Sequence, residues 1–254
     1  MASCTVTSWF RYFMLVLLVQ RAFSACSNCY TISRATFYGT SDDSGNSVGS
    51  CGYGAYGRDL NGGNVAGSSK VYRDGTGCGA CYQVKCTDED LCTEDGVNVV
   101  LTDMGEGDRT DFILNRRIFS QLAQDQNSAD QLAATGTVTI QYRRISCQYP
   151  GKNIMIKIDE SSNNPNYLAF MFFNQGGKRD ILVVDVCETR NLECKLRPEN
   201  HGAVWDVTPP PKGPLSIRFL VSNGTQEEWI TSANAIPRNW EPGAVYDSGV
   251  QLQD

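Results

Sequence analysis

The sequence predicts a mainly all-β protein of two domains, a compact disulfide-braced β-barrel followed by a β-sandwich. Cysteines crowd the first half: of the ten beyond residue 25, eight lie between Cys26 and Cys147, and only Cys187 and Cys194 follow. Runs alternating apolar and polar residues recur along the chain, whereas one stretch alone carries a convincing helical period. Between the halves, residues 148–152 form a polar joint carrying Pro150 and Gly151, the composition of a linker.

The elements follow in order. Residues 12–19 are almost wholly apolar, follow Arg11, and precede the small-residue pattern Ala22-Phe23-Ser24. This is the layout of a secretory signal peptide over residues 1–24. The apolar run is shorter than the ~20 residues a membrane helix needs, and no other stretch approaches that length. Residues 34–77 are rich in glycine and read as loop with tight turns. Strands are expected over 80–85, 97–102 and 137–144. Between them lies the one helix, capped by Asn115, with Ile118, Phe119, Leu122 and Ala123 on one face. Short strands, one small helix and several disulfides predict a barrel over 25–147. Beyond the joint, strands are expected over 154–158, 167–173, 181–186, 203–207, 215–221 and 227–230, with 175–180 as a hairpin turn. Evenly spaced short strands predict a sandwich over 153–254.

Cysteine usage agrees with export, since an even count in an oxidising compartment reads as disulfides. A zinc site at Cys78, Cys81, Cys86 and Cys92 is the rival reading. Asn223-Gly224-Thr225 is the one glycosylation sequon. Removing the leader, with Arg11 and Arg21 and no acid, takes the net charge from -6 to -8. An acidic surface excludes nucleic acid and acidic polymers as electrostatic partners and leaves neutral glycans open.

The single histidine, His201, excludes a histidine-rich metal centre and leaves little room for a Ser-His or Cys-His catalytic pair. The spacing Gly52, Gly54, Gly57 has the letters of a dinucleotide loop but no parallel βαβ context. Carboxylates remain: Asp42, Asp43, Asp103, Glu106, Asp108 and Asp111 fall in loops of the first half. They are either solvated charges or one side of a glycosidic acid pair. Aromatic residues spread over both halves are either core or flat sugar-binding rings.

The order of motifs resembles the expansin superfamily of plant cell-wall proteins, and its expansin-like B group most. The resembling stretches include Thr36-Phe37-Tyr38-Gly39, Cys51-Gly52-Tyr53-Gly54, residues 77–86, Leu101-Thr102-Asp103, residues 164–169, Gly202-Ala203-Val204-Trp205, residues 213–218 and residues 236–240. The resemblance implies a six-stranded double-psi β-barrel followed by an immunoglobulin-like, carbohydrate-binding sandwich. It implies the disulfides Cys51–Cys78, Cys81–Cys147 and Cys86–Cys92, with Cys26–Cys29 and Cys187–Cys194 as local additions. It implies a wall protein that binds neutral polysaccharide without hydrolysing it; the leader predicts secretion, no metal or other cofactor is expected, and a monomer is the default. By position, Thr36, Tyr38, Asp43 and Asp103 match the constellation around the family's acid. The acid itself falls on Ile113, which cannot donate a proton, and Asp111 stands two residues before it. Phe37, Tyr167 and Trp205 match the family's row of polysaccharide-binding rings. Two other classes stay open: a weak glycosidase or transglycosylase using Asp103 and Asp111, and a glycan-binding or defence module without wall loosening.

Overall fold

A computed structural model describes residues 29–39, 49–105, 111–195 and 199–253, without the side chains of 199–201. The expected leader, Cys26, Asp42, Asp43, Glu106 and Asp108 lie outside the described residues.

The first half is a closed barrel of six strands: β1 (Thr31–Phe37), β2 (Val65–Gly67), β3 (Cys81–Cys86), β4 (Val97–Asp103), β5 (Phe112–Leu114) and β6 (Val138–Ile145). The strands close in the order β1-β5-β2-β4-β3-β6, with β1 parallel to β5 and β2 parallel to β4. Two crossed parallel pairs inside an otherwise antiparallel barrel are the double-psi topology. Two single-turn helices, α1 (Tyr56–Asp59) and α2 (Ser69–Tyr72), occupy part of the glycine-rich stretch that the sequence read as loop. Helix α3 (Arg116–Ser120) begins where Asn115 caps it, the side chain accepting a 2.7 Å hydrogen bond from the Ile118 amide. Ile118, Phe119 and Leu122 are fully buried in the barrel core.

A further helix, α4 (Gln126–Thr135), was not expected. Few apolar residues mark it, with Ala129 and Leu132 buried, so the 3.6-residue signal is faint. Its start is nevertheless written in Asp125, whose side chain accepts from the Ser128 amide at 2.8 Å.

The second half is a sandwich of two sheets. One contains β9 (Asp180–Glu188), β10 (Cys194–Lys195), β13 (Leu215–Ser222) and β14 (Glu227–Ile236), in the order β10-β9-β13-β14. The other contains β7 (Met155–Ile158), β8 (Leu168–Phe173), β11 (Glu199–His201), β12 (Val204–Val207) and β15 (Val245–Asp247), in the order β11-β12-β8-β7-β15. Strands β8 and β9 lie in different sheets, so residues 175–180 form a crossover and the expected hairpin is not present. Both edges of β8 are already taken by β7 and β12, which leaves β9 to pair with β13 and β10.

Described disulfides join Cys51 to Cys78, Cys81 to Cys147, Cys86 to Cys92 and Cys187 to Cys194. The four sulfurs of the rival zinc reading are thereby each committed to a disulfide, which overturns it. Cys29 is also disulfide-bonded.

The two halves meet over a shared apolar cluster: Cys51, Tyr53, Leu60, Val65 and Cys78 from the barrel against Met171 and Ala203 from the sandwich. The Ala203 amide donates to the Cys51 carbonyl at 2.8 Å, and Cys147 and Gly177 exchange backbone bonds of 3.0 and 3.1 Å. Asp180 accepts from Arg73 at 2.8 Å and Arg144 at 3.2 Å. Gly202, at φ 66°, lies so close to the barrel that a Cβ there would run into the Ser50 carbonyl oxygen. A buried apolar cluster, backbone pairing and a two-arginine clamp at one seam make a rigid joint.

Candidate functional site

The site begins at the C-terminal ends of β1 and β4. Strand β4 carries Asp103 to a position only 6 % exposed. There its Oδ1 accepts from the Ser50 and Met104 amides, both at 2.8 Å, and its Oδ2 accepts from the Tyr38 hydroxyl at 3.1 Å. Three donors converging on two oxygens suit an ionised carboxylate acting as acceptor. Burial, and secondarily the Asp103 charge, push the Tyr38 phenol far above its ordinary pKa, so the hydroxyl keeps its proton and stays a donor. Gly67 on β2 makes this possible, because a Cβ there would strike the Tyr38 hydroxyl and come within 2.9 Å of Gly105.

Ile113 is paired with both Thr36 on β1 and Gly67 on β2, while Gly67 is paired with Asp103 on β4. Ile113 therefore stands two strands from Asp103, about 10 Å by the usual strand spacing. It is 7 % exposed, its neighbours Phe112 and Leu114 both entering the barrel core. Thr36 lies beside Ile113, not beside Asp103, and its hydroxyl donates to the Gly136 carbonyl at 2.7 Å.

Asp111 is engaged elsewhere. It precedes β5, its amide donates to the Arg34 carbonyl at 3.2 Å, and its carboxylate accepts from the Ser33 hydroxyl. By register Asp111 lies two residues, about 7 Å, before the level of Ile113 and Asp103, and it stands two strands from Asp103. Asp103 and Asp111 thus have different partners, the Tyr38 hydroxyl for one and the Ser33 hydroxyl for the other.

The ring row divides. Trp205, expected on the surface, is 7 % exposed and lies in the sandwich core, paired in register with Phe170. On β12 the inward positions are Trp205 and Val207, so Val204 and Asp206 face outward, and Val204 packs against the cluster at the seam. Phe37 is half-buried against the barrel core, its ring 4.9 Å from Phe119 and 5.0 Å from the Arg116 guanidinium. Tyr167, partly exposed as Phe37 is, is oriented by a 2.9 Å hydrogen bond from its hydroxyl to the outward-facing Asp206.

Tyr72 was not singled out as a site residue. It is half-exposed, and its hydroxyl donates to the Ser50 carbonyl at 3.0 Å, the same residue whose amide serves Asp103 and whose carbonyl abuts Gly202. The chain of contacts thus runs from Tyr38 and Asp103 through Ser50 and Tyr72 to Gly202, and from there along the outer face of β12 to Asp206 and Tyr167. A spacing signal for Tyr72 does not exist in the sequence, since the seam alone brings it there. Among the described residues no group of three or more His, Cys, Asp or Glu could hold a metal ion, and no helix is long and apolar enough to cross a membrane.

A double-psi barrel holding a buried aspartate that accepts from a tyrosine hydroxyl and two backbone amides, clamped to an immunoglobulin-like sandwich, defines a class of two-domain barrel–sandwich proteins. Comparison narrows the class. Residues 154–237 match the expansin C-terminal domain, and residues 64–142 match a barrel model described as lytic transglycolase. Expansin-like B1 of Oryza sativa subsp. japonica is 50 % identical over 94 % of this chain and 94 % of its own. Expansin-like B1 of Arabidopsis thaliana is 46 % identical over 89 % of this chain and 90 % of its own. The crystal structure of an apo Clavibacter michiganensis expansin shares the fold, with a TM-score of 0.63 at 20 % identity over 88 % of this chain and 98 % of that one. The chain belongs to the expansin family.

Proposed function

We propose that this is a secreted, monomeric cell-wall protein that binds neutral polysaccharide across the face joining barrel to sandwich and does not cleave it. Residues 1–24 are its leader, 25–147 and 153–254 its working domains, 148–152 their linker, and Asn223 its glycan acceptor. The observation that carries the reading is the run of contacts across the seam: among the described residues, Asp103 and Tyr38 are linked through Ser50 and Gly202 to the side of the sandwich that carries Asp206 and Tyr167. Such a face offers a rigid row of hydrogen-bond groups and a flat ring to an uncharged chain. A point mutant of the Clavibacter expansin has also been solved in complex with cellohexaose, with a TM-score of 0.62 to this chain. Ile113, where the resemblance places an acid, supplies no proton for bond breaking, and expansin family members are in general non-hydrolytic.

Two measurements test the reading. Tyr167→Ala removes the ring and its hold on Asp206, and retention on insoluble cellulose or xyloglucan-coated beads is expected to weaken about fivefold, the ~1 kcal/mol of one ring contact. Unchanged retention would remove the face from the binding surface. Incubation with β-glucan or xyloglucan is expected to release no reducing ends, with or without Asp103→Asn. Release that depends on Asp103 would replace the binding reading by a glycosidase. Whether binding loosens the wall is read from creep of clamped, heat-killed wall strips with protein added.

A further inference from the structure

A second cleft opens at the joint between the domains, where α1 and the turn after it face the linker and the end of β8. It encloses about 520 Å³, within the range of small-ligand sites. Its apolar wall is aromatic: Tyr56, 40 % exposed, lies with its ring 5.6 Å from that of Phe173, and Tyr149 lines the linker side. Lys157 holds the Tyr56 ring in place, its ammonium 5.3 Å from the ring centre. Around these rings stand Asp59, Asn61 and Lys152, none of whose side chains is engaged by a hydrogen bond or ion pair among the described residues. One acid, one base and an amide give the rim no net charge, so neither a phosphate nor a polycation is favoured. Flat rings below and free neutral and paired-charge donors and acceptors above are what a sugar ring presents contacts for: apolar C–H faces and equatorial hydroxyls.

We propose that this cleft is a second neutral-oligosaccharide site, separate from the seam face, so that one molecule holds two chain segments. The ligand class is that of the reading above, but the residues are not shared. Asn61 sits at φ 53°, so glycine takes its place without backbone strain, which gives a variant that removes the amide and leaves the fold alone.

The test is titration of the full chain with cellohexaose, read by calorimetry and by melting temperature. Two sites are expected. Tyr56→Ala and Asn61→Gly each weaken one of them about fivefold or more, and Tyr167→Ala weakens the other. One site, weakened by Tyr167→Ala and indifferent to Tyr56→Ala and Asn61→Gly, overturns the cleft while the seam face stands. One site weakened by Tyr56→Ala and Asn61→Gly but not by Tyr167→Ala supports the cleft and removes the seam face. If Tyr56→Ala also lowers the melting temperature, Asn61→Gly alone decides, and unchanged affinity in it overturns the inference.

Discussion

Trp205→Ala is expected to destabilise the sandwich by about 3–5 kcal/mol, the cost of deleting a large buried ring. The indole is 7 % exposed and packs in the core with Phe170, Phe172 and Val207, and the space it leaves cannot be refilled by neighbours held in two sheets. For a chain of this size the melting temperature falls by roughly 10 °C, at about 2–4 °C per kcal/mol. The control is Trp229→Ala. Trp229 is 44 % exposed on β14, with the Arg218 guanidinium 4.8 Å from its ring, and its removal is expected to cost less than about 1 kcal/mol. Calorimetry of both variants separates a core ring from a surface ring. Lost polysaccharide retention in Trp205→Ala with an unmoved melting temperature would return Trp205 to the binding face.

Removing the Cys81–Cys147 bond, as Cys81→Ser with Cys147→Ser, is expected to cost about 4 kcal/mol, by the loop-closure entropy of its 66-residue separation. The same treatment of Cys86 and Cys92, 6 residues apart, predicts about 2 kcal/mol. The longer bond also matters for position. Cys147 ends the barrel and exchanges both backbone hydrogen bonds with Gly177 of the sandwich, so it staples β3 to the seam. Its loss should therefore weaken polysaccharide retention even where the barrel still folds, whereas loss of Cys86–Cys92 should not. Guanidinium unfolding of the two double variants measures the difference, and equal losses would defeat the loop-closure account.

Local chemistry was legible from residues alone. Asn115 caps its helix because one side-chain oxygen reaches the Ile118 amide three residues on. The alternation of Val138, Ile140 and Tyr142 marks β6 because that strand buries one face only. Crowded cysteines marked the barrel, and Asp103 stood out through its motif. Helix α4 went unread because two buried apolar side chains in ten residues leave almost no period.

What the chain decides by itself is where β3, β4, β6 and most sandwich strands run, where α3 starts and which half is stapled; β1, β2 and β5, which complete the barrel, carry no such signal. Only the folded molecule decides which way a side chain points when both sides of a strand are covered. Val204 and Trp205 are neighbours and both apolar, because one meets the barrel and the other the sandwich core, so a period of two cannot tell them apart. Strand β8 is apolar on both faces for the same reason. Asp111 and Asp103 are likewise equal as letters, yet partners supplied by distant strands, Ser33 for one and Tyr38 for the other, set them at different levels. Periodicity reports burial, and burial against two partners erases it.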